Sequence, residues 1–132
     1  MRAFAALVTL LAFATPASAK VLKDSFRVPV RVADETGAVE IDTDVYRPER
    51  AAPKGGRPLV VVFHGGGSNK DSGFDAGHAK FFARHGYTAV IFSQRGHGSS
   101  GGLTTVAGPN EMHDVFDVVH WALGAAWPPM LR

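Results

Sequence analysis

The 132-residue chain reads as an α/β domain: an antiparallel hairpin, then a parallel strand–helix–strand unit and one further helix. Three observations predict this. Leu59-Val60-Val61-Val62-Phe63 is an unbroken apolar run, the pattern of a strand covered on both faces. Apolar residues alternate before that run and recur at helical spacing after it. The run also ends in His64-Gly65-Gly66-Gly67, and glycines weaken a strand. Their place at a strand end is where open α/β sheets put ligand chemistry.

Taken in order, Met1-Arg2, the apolar stretch Ala3 to Phe13 and Ala17-Ser18-Ala19 form a signal-peptide pattern over residues 1–19. The apolar stretch falls short of the roughly 20 residues a bilayer-spanning helix needs. The expectation is export to the periplasm or medium, with residues 20–132 as the mature chain and no membrane attachment after cleavage. Loss of Arg2 lowers the formal net charge from +2 to +1, which leaves no basic field for nucleic acid. With no cysteine, disulfides, thiolate catalysis and thiolate metal sites are excluded.

Phe26, Val28, Val30 and Val32 alternate with polar or small residues, so a strand is expected from about Ser25. Asp34-Glu35-Thr36-Gly37 supplies a turn, and Val39, Ile41, Thr43 and Val45 alternate again. Together they predict a hairpin with one wet face. Beyond the apolar strand, Phe74 to His85 reads as a helix. Phe74, His78, Phe81, Phe82 and His85 lie on one side, and Gly86 stops it. Tyr87 to Phe92 is a second apolar strand, parallel to the first. The glycine-rich loop Ser93 to Asn110 is long enough to be functional. A last helix runs from about Asn110 to Leu123, with Met112, Phe116, Val119 and Leu123 as its apolar stripe. Glu111, Asp114 and Asp117 place negative charge in its front half, and Gly124 with Trp127-Pro128-Pro129 ends it.

At His64-Gly65-Gly66-Gly67, and again at Arg95-Gly96-His97-Gly98-Ser99-Ser100-Gly101-Gly102, the sequence resembles the α/β-hydrolase superfamily. With the strand end Val45-Tyr46-Arg47-Pro48, it is most similar to the X-prolyl dipeptidyl-peptidase-like and cocaine-esterase-like branch. Dienelactone-hydrolase-like esterases come next. The resemblance spans about Phe26 to Leu123 and implies a serine hydrolase acting on a peptide, ester or lactone, with no cofactor. It assigns His64, Gly65, Gly66 and Gly67 to an oxyanion-hole loop, whose backbone N–H groups meet the developing charge. Which N–H does so is left open by the sequence.

The nucleophile is the difficulty. Gly98-Ser99-Ser100-Gly101-Gly102 matches G-x-S-x-G, with Ser100 in the serine place, but no strand feeds it and no helix leaves it. Ser100 is therefore set aside as nucleophile. His113 and His120 lie on the last helix, away from any elbow, and His64 belongs to the oxyanion loop. The chain reads as the N-terminal portion of such a hydrolase, ending before the nucleophile elbow. Nucleophile, acid and base are not found, and the Leu59–Phe63 strand becomes an open edge prone to self-association. The rival is a non-catalytic fragment that completes its sheet with another chain. A nucleotide site fails on spacing, since Lys70 stands where the third glycine of a dinucleotide fingerprint belongs. The six histidines form no metal-ligand pair on a helix.

Overall fold

A computed structural model describes residues 20–124. The signal-peptide pattern of residues 1–19 and the helix stop at Trp127–Pro129 lie outside the described residues. The elements are β1 (Val21–Pro29), β2 (Glu40–Pro48), β3 (Leu59–Phe63), α1 (Gly73–Arg84), β4 (Thr88–Phe92) and α2 (Pro109–Gly124). They form one four-stranded sheet in the order β1-β2-β4-β3. β1 and β2 are the expected antiparallel hairpin, with Val28 opposite Ile41. β3 and β4 are parallel neighbours joined through α1, and Val61 stands opposite Val90. β2 meets β4 antiparallel, which makes the sheet mixed.

One core lies on the α2 side of the sheet, where Val28, Ile41, Val45, Val90 and Phe92 pack against Val118 and Ala122. The other lies under α1, where Tyr46, Ala89 and Ile91 meet Ala79 and Ala83. The small residues of α1 therefore face the sheet. Its expected apolar side is buried only in part: Phe82 packs against this core, while Phe74 is 76% and Phe81 54% exposed. Alanines at Ala79 and Ala83 let the helix approach the sheet closely, and the aromatics on the other side stack along the surface instead. Ser72 caps the helix start by accepting from the Asp75 N–H. At its end Gly86 takes a left-handed φ of 96°. The Gly86 and Tyr87 N–H groups then close on the carbonyls of Ala83 and Phe82.

Four further expectations are corrected. β1 begins at Val21, four residues earlier than Ser25, and stops at Pro29. The second face of β2 is wet only towards its start at Glu40, since Asp44 and Tyr46 further along it are as buried as Ile41 and Val45 on the first. α2 is turned so that Glu111, Asp114 and Asp117 are buried, while Met112, Phe116 and Leu123 are each at least half exposed. β3 is covered only in part and stands at the sheet edge, with Phe63 47% exposed.

Candidate active site

β3 delivers the chain to His64, whose side chain is buried at the head of the glycine loop. The Gln94 backbone N–H donates to His64 Nε2 at 3.0 Å. His64 Nδ1 lies 2.9 Å from the Gly65 carbonyl oxygen. An amide N–H can only donate and a carbonyl can only accept, so these partners select the neutral tautomer with the proton on Nδ1. Both nitrogens are thereby committed. His64 is a loop anchor and has no lone pair left for proton abstraction.

The anchor also orients the next peptide. The Gly65 carbonyl accepts a second bond from the Ser68 N–H at 3.1 Å. In a planar trans peptide the following N–H points opposite to that carbonyl. The Gly66 N–H is therefore turned away from His64 and Ser68. Among the described residues no acceptor meets the N–H of Gly66 or of Gly67. Only Gly67 has the left-handed φ, 73°, that calls for glycine. A β-carbon on Gly65 or Gly66 would meet nothing within 4 Å, so no described atom of this chain requires glycine there by steric clash.

The second loop, Ser93 to Gly108, packs against the first. Gly98 has a φ of 54°, and a β-carbon there would lie 2.7 Å from Ser93 Oγ and 3.0 Å from Asn69 Cβ, so the two loops touch at a glycine. Arg95 is fully buried and forks onto Asp114 of α2, with Nε and Nη2 at 2.7 and 2.6 Å from the two carboxylate oxygens. It also donates to the Val32 carbonyl at 3.0 Å. Asp114 raises the Arg95 pKa further above its ordinary value, more strongly than burial lowers it. Ser100 Oγ donates to the Ser93 carbonyl at 2.5 Å and accepts the Asp42 N–H at 2.9 Å. Its hydroxyl ties the loop to β2, and among the described residues no imidazole hydrogen-bonds to it.

A cavity of about 320 Å³ separates the two loops, lined by His64, Gly65–Gly67, Gln94, His97 and Thr104, Val106 and Ala107. Its third wall is unusual, because Val106 and Ala107 both take left-handed φ values, 56° and 59°, which non-glycine residues rarely adopt. Glu111 holds that wall. Its carboxylate accepts from the Thr105 hydroxyl at 2.5 Å, the Thr104 hydroxyl at 3.2 Å and the Thr105 N–H. Burial pushes the Glu111 carboxyl up, but these donors outweigh it and hold its pKa at about 2.

Beneath the loops Lys70 is buried, with Nζ 3.1 Å from Asp44, 3.1 Å from Asp71 and 3.4 Å from Asp42. Burial alone would push the ammonium pKa down, yet these carboxylates raise it. Asp44 in turn meets Lys23 at 2.7 Å and Ser25 at 2.6 Å. Its carboxyl, pushed up by burial, is held below the ordinary value by Lys23, Ser25 and Lys70. Lys70 is a structural counter-ion that fixes the far end of the glycine loop.

The structure thus brings together His64 and the three glycines and leaves Ser100 out of the cavity lining. His113 and His120 are exposed on α2. Sequence reasoning missed His97, Gln94 and the wall from Thr104 to Ala107. Only the Arg95-Gly96-His97 motif marked any of them.

A model of the X-Pro dipeptidyl-peptidase (S15) family matches residues 36–129. The chain belongs to that family. As an S15-family chain it shares its fold with an esterase of Pyrococcus furiosus, Pf2001, at TM-score 0.59 and 24% identity, covering 81% of this chain and 38% of that one. PA2218 of Pseudomonas aeruginosa, titled a hypothetical protein, aligns at TM-score 0.62 and 21% identity, covering 99% of this chain and 39% of that one. SACOL2612 of Staphylococcus aureus, a CocE/NonD family hydrolase, aligns at TM-score 0.59 and 18% identity over 81% of this chain and 21% of that one. These likenesses show the fold, an N-terminal α/β-hydrolase portion. A non-reducing polyketide synthase, adrD of Penicillium rubens, is 33% identical over 119 residues. That match covers 83% of this chain but 5% of the synthase. The chain therefore spans less than half the length of each of these matches.

Proposed function

We propose that this S15-family chain supplies the oxyanion-stabilising half of a serine-hydrolase site of peptidase or esterase type. The nucleophile, acid and base then come from outside residues 20–124. One observation carries the reading. The His64-anchored Gly65 carbonyl turns the Gly66 N–H away from His64, the Gly67 N–H likewise meets no acceptor among the described residues, and both glycines line the cavity. Each such donor is worth roughly 3–4 kcal/mol of transition-state stabilisation in a complete site. Ser100 is not the nucleophile in this reading, because its hydroxyl proton goes to the Ser93 carbonyl rather than to an imidazole base. Ester hydrolysis by the purified chain tests this. No turnover is expected, and turnover abolished by Ser100→Ala would overturn the assignment.

A second reading has its own support. β3 is an edge strand, and Phe63 at its end is 47% exposed. A strand added along β3 from another chain, or from a second copy, would cover that edge. Sedimentation separates a monomer from such an assembly. Export is proposed from the residue 1–19 pattern, and an exported product beginning at Lys20 would support it. Among the described residues no helix is long and apolar enough to cross a membrane.

A further inference from the structure

His97 faces the same cavity from the other loop, and its hydrogen bonding is incomplete. Its Nδ1 lies 3.1 Å from the Arg95 carbonyl oxygen, which can only accept, so Nδ1 carries the proton. In the neutral ring Nε2 is then an acceptor. Among the described residues no donor meets it. The ring is half-buried and its centroid lies 5.2 Å from that of His64. The contrast between the two imidazoles is informative, since His64 Nε2 is filled by the Gln94 N–H and His97 Nε2 is open. Arg95 is pinned by Asp114, so the carbonyl that fixes the His97 tautomer is itself held in place.

The cavity therefore presents two kinds of unmatched groups. Gly66 and Gly67 offer N–H donors, and His97 offers an acceptor. A group that satisfies both must carry a carbonyl oxygen and, beside it, an N–H or O–H. A plain ester satisfies only the donors. We propose that His97 Nε2 is a ligand-binding acceptor that selects carbonyl ligands bearing an adjacent hydrogen-bond donor, amides foremost, over plain esters. The proposal rests on the oxyanion-loop reading of Gly66 and Gly67 and adds a discriminating residue to it. Where a bound ligand excludes water from the cavity, an analogue that cannot pair with His97 Nε2 leaves that acceptor unmatched and binds less tightly.

The test uses the full 132-residue chain labelled with nitrogen-15. It is titrated with acetamide and with methyl acetate, which are close in shape. Both probes are expected to shift the Gly66 and Gly67 amide resonances. Only acetamide is expected to shift His97 Nε2, with His64 Nε2 as the internal control. Acetamide should bind about tenfold more tightly than methyl acetate, and His97→Phe should remove that difference. Equal affinities with an unmoved His97 Nε2 overturn the role of His97 and leave the oxyanion loop standing. If neither probe moves Gly66 or Gly67, the oxyanion reading fails and the proposal fails with it. The ring resonance is read on the unsubstituted chain, so the outcome does not depend on how well His97→Phe folds.

Discussion

The backbone N–H of Gln94 donates to the ring Nε2 of His64 at 3.0 Å, joining the end of β4 to the end of β3 across 30 residues of sequence. That single bond decides the His64 tautomer. The tautomer fixes the Gly65 carbonyl, and the carbonyl sets the direction of the Gly66 N–H.

Replacing His64 with phenylalanine should keep the buried volume and remove both bonds. The expected cost is about 1–3 kcal/mol of stability. Amide hydrogen exchange at Gln94 should quicken even under conditions where β4 stays protected. Unchanged exchange at Gln94 would show that the loop is held without the ring.

Arg95 and Asp114 form a buried fork, and removing one partner strands the other charge. Asp114→Ala is expected to cost about 3–5 kcal/mol, a large part of the stability of a small domain. The double replacement Arg95→Met with Asp114→Leu should recover most of that loss, because it removes both desolvation penalties together. Urea denaturation of the two variants gives the comparison directly. A double variant no more stable than Asp114→Ala would mean that the Arg95 bond to the Val32 carbonyl dominates instead.

Glu111 predicts an acid-sensitive wall. Its folded pKa of about 2 lies below the ordinary 4.5, so the unfolded chain binds the proton more readily. The stabilisation it gives is therefore complete above about pH 4.5 and is lost as pH falls towards about 2. Glu111→Gln should flatten this part of the stability–pH curve and cost about 2 kcal/mol at neutral pH. Parallel curves for the two proteins between those pH values would contradict it.

Val106 is 86% exposed and left-handed, so its side chain gains little burial for the strain it bears. Left-handed backbone costs an L-residue roughly 1–2 kcal/mol, more than glycine loses through its freer unfolded chain. Val106→Gly is expected to raise stability by up to about 1 kcal/mol, visible as a higher melting temperature. A lower one would place a packing role on this side chain that its exposure does not suggest.

Much of the fold was legible because it rests on local repetition. The Leu59–Phe63 run, the alternation of Val39 to Val45 and the stop at Gly86 each signal an element within a few residues. The glycine loop was legible for the same reason, and its family resemblance rests on contiguous motifs. Helix orientation was not. On α2, Met112, Phe116, Val119 and Leu123 form an apolar stripe as regular as the one that is buried. The choice between them lies with Arg95, Arg31 and Thr105, which claim Asp114, Asp117 and Glu111. On α1 the close approach allowed by Ala79 and Ala83 outweighed the larger hydrophobic area of Phe74 and Phe81.

By itself the sequence determined the elements, the parallel unit and the place of the His64–Gly67 loop, because backbone preference and side-chain period act between near neighbours. The tertiary structure alone decided which groups are left open at that loop. His64 and His97 are the same residue type, each followed by glycine. One receives an N–H from Gln94, 30 residues away, and the other receives none among the described residues. A hydrogen bond needs two groups within about 3 Å, and only the folded chain sets that distance.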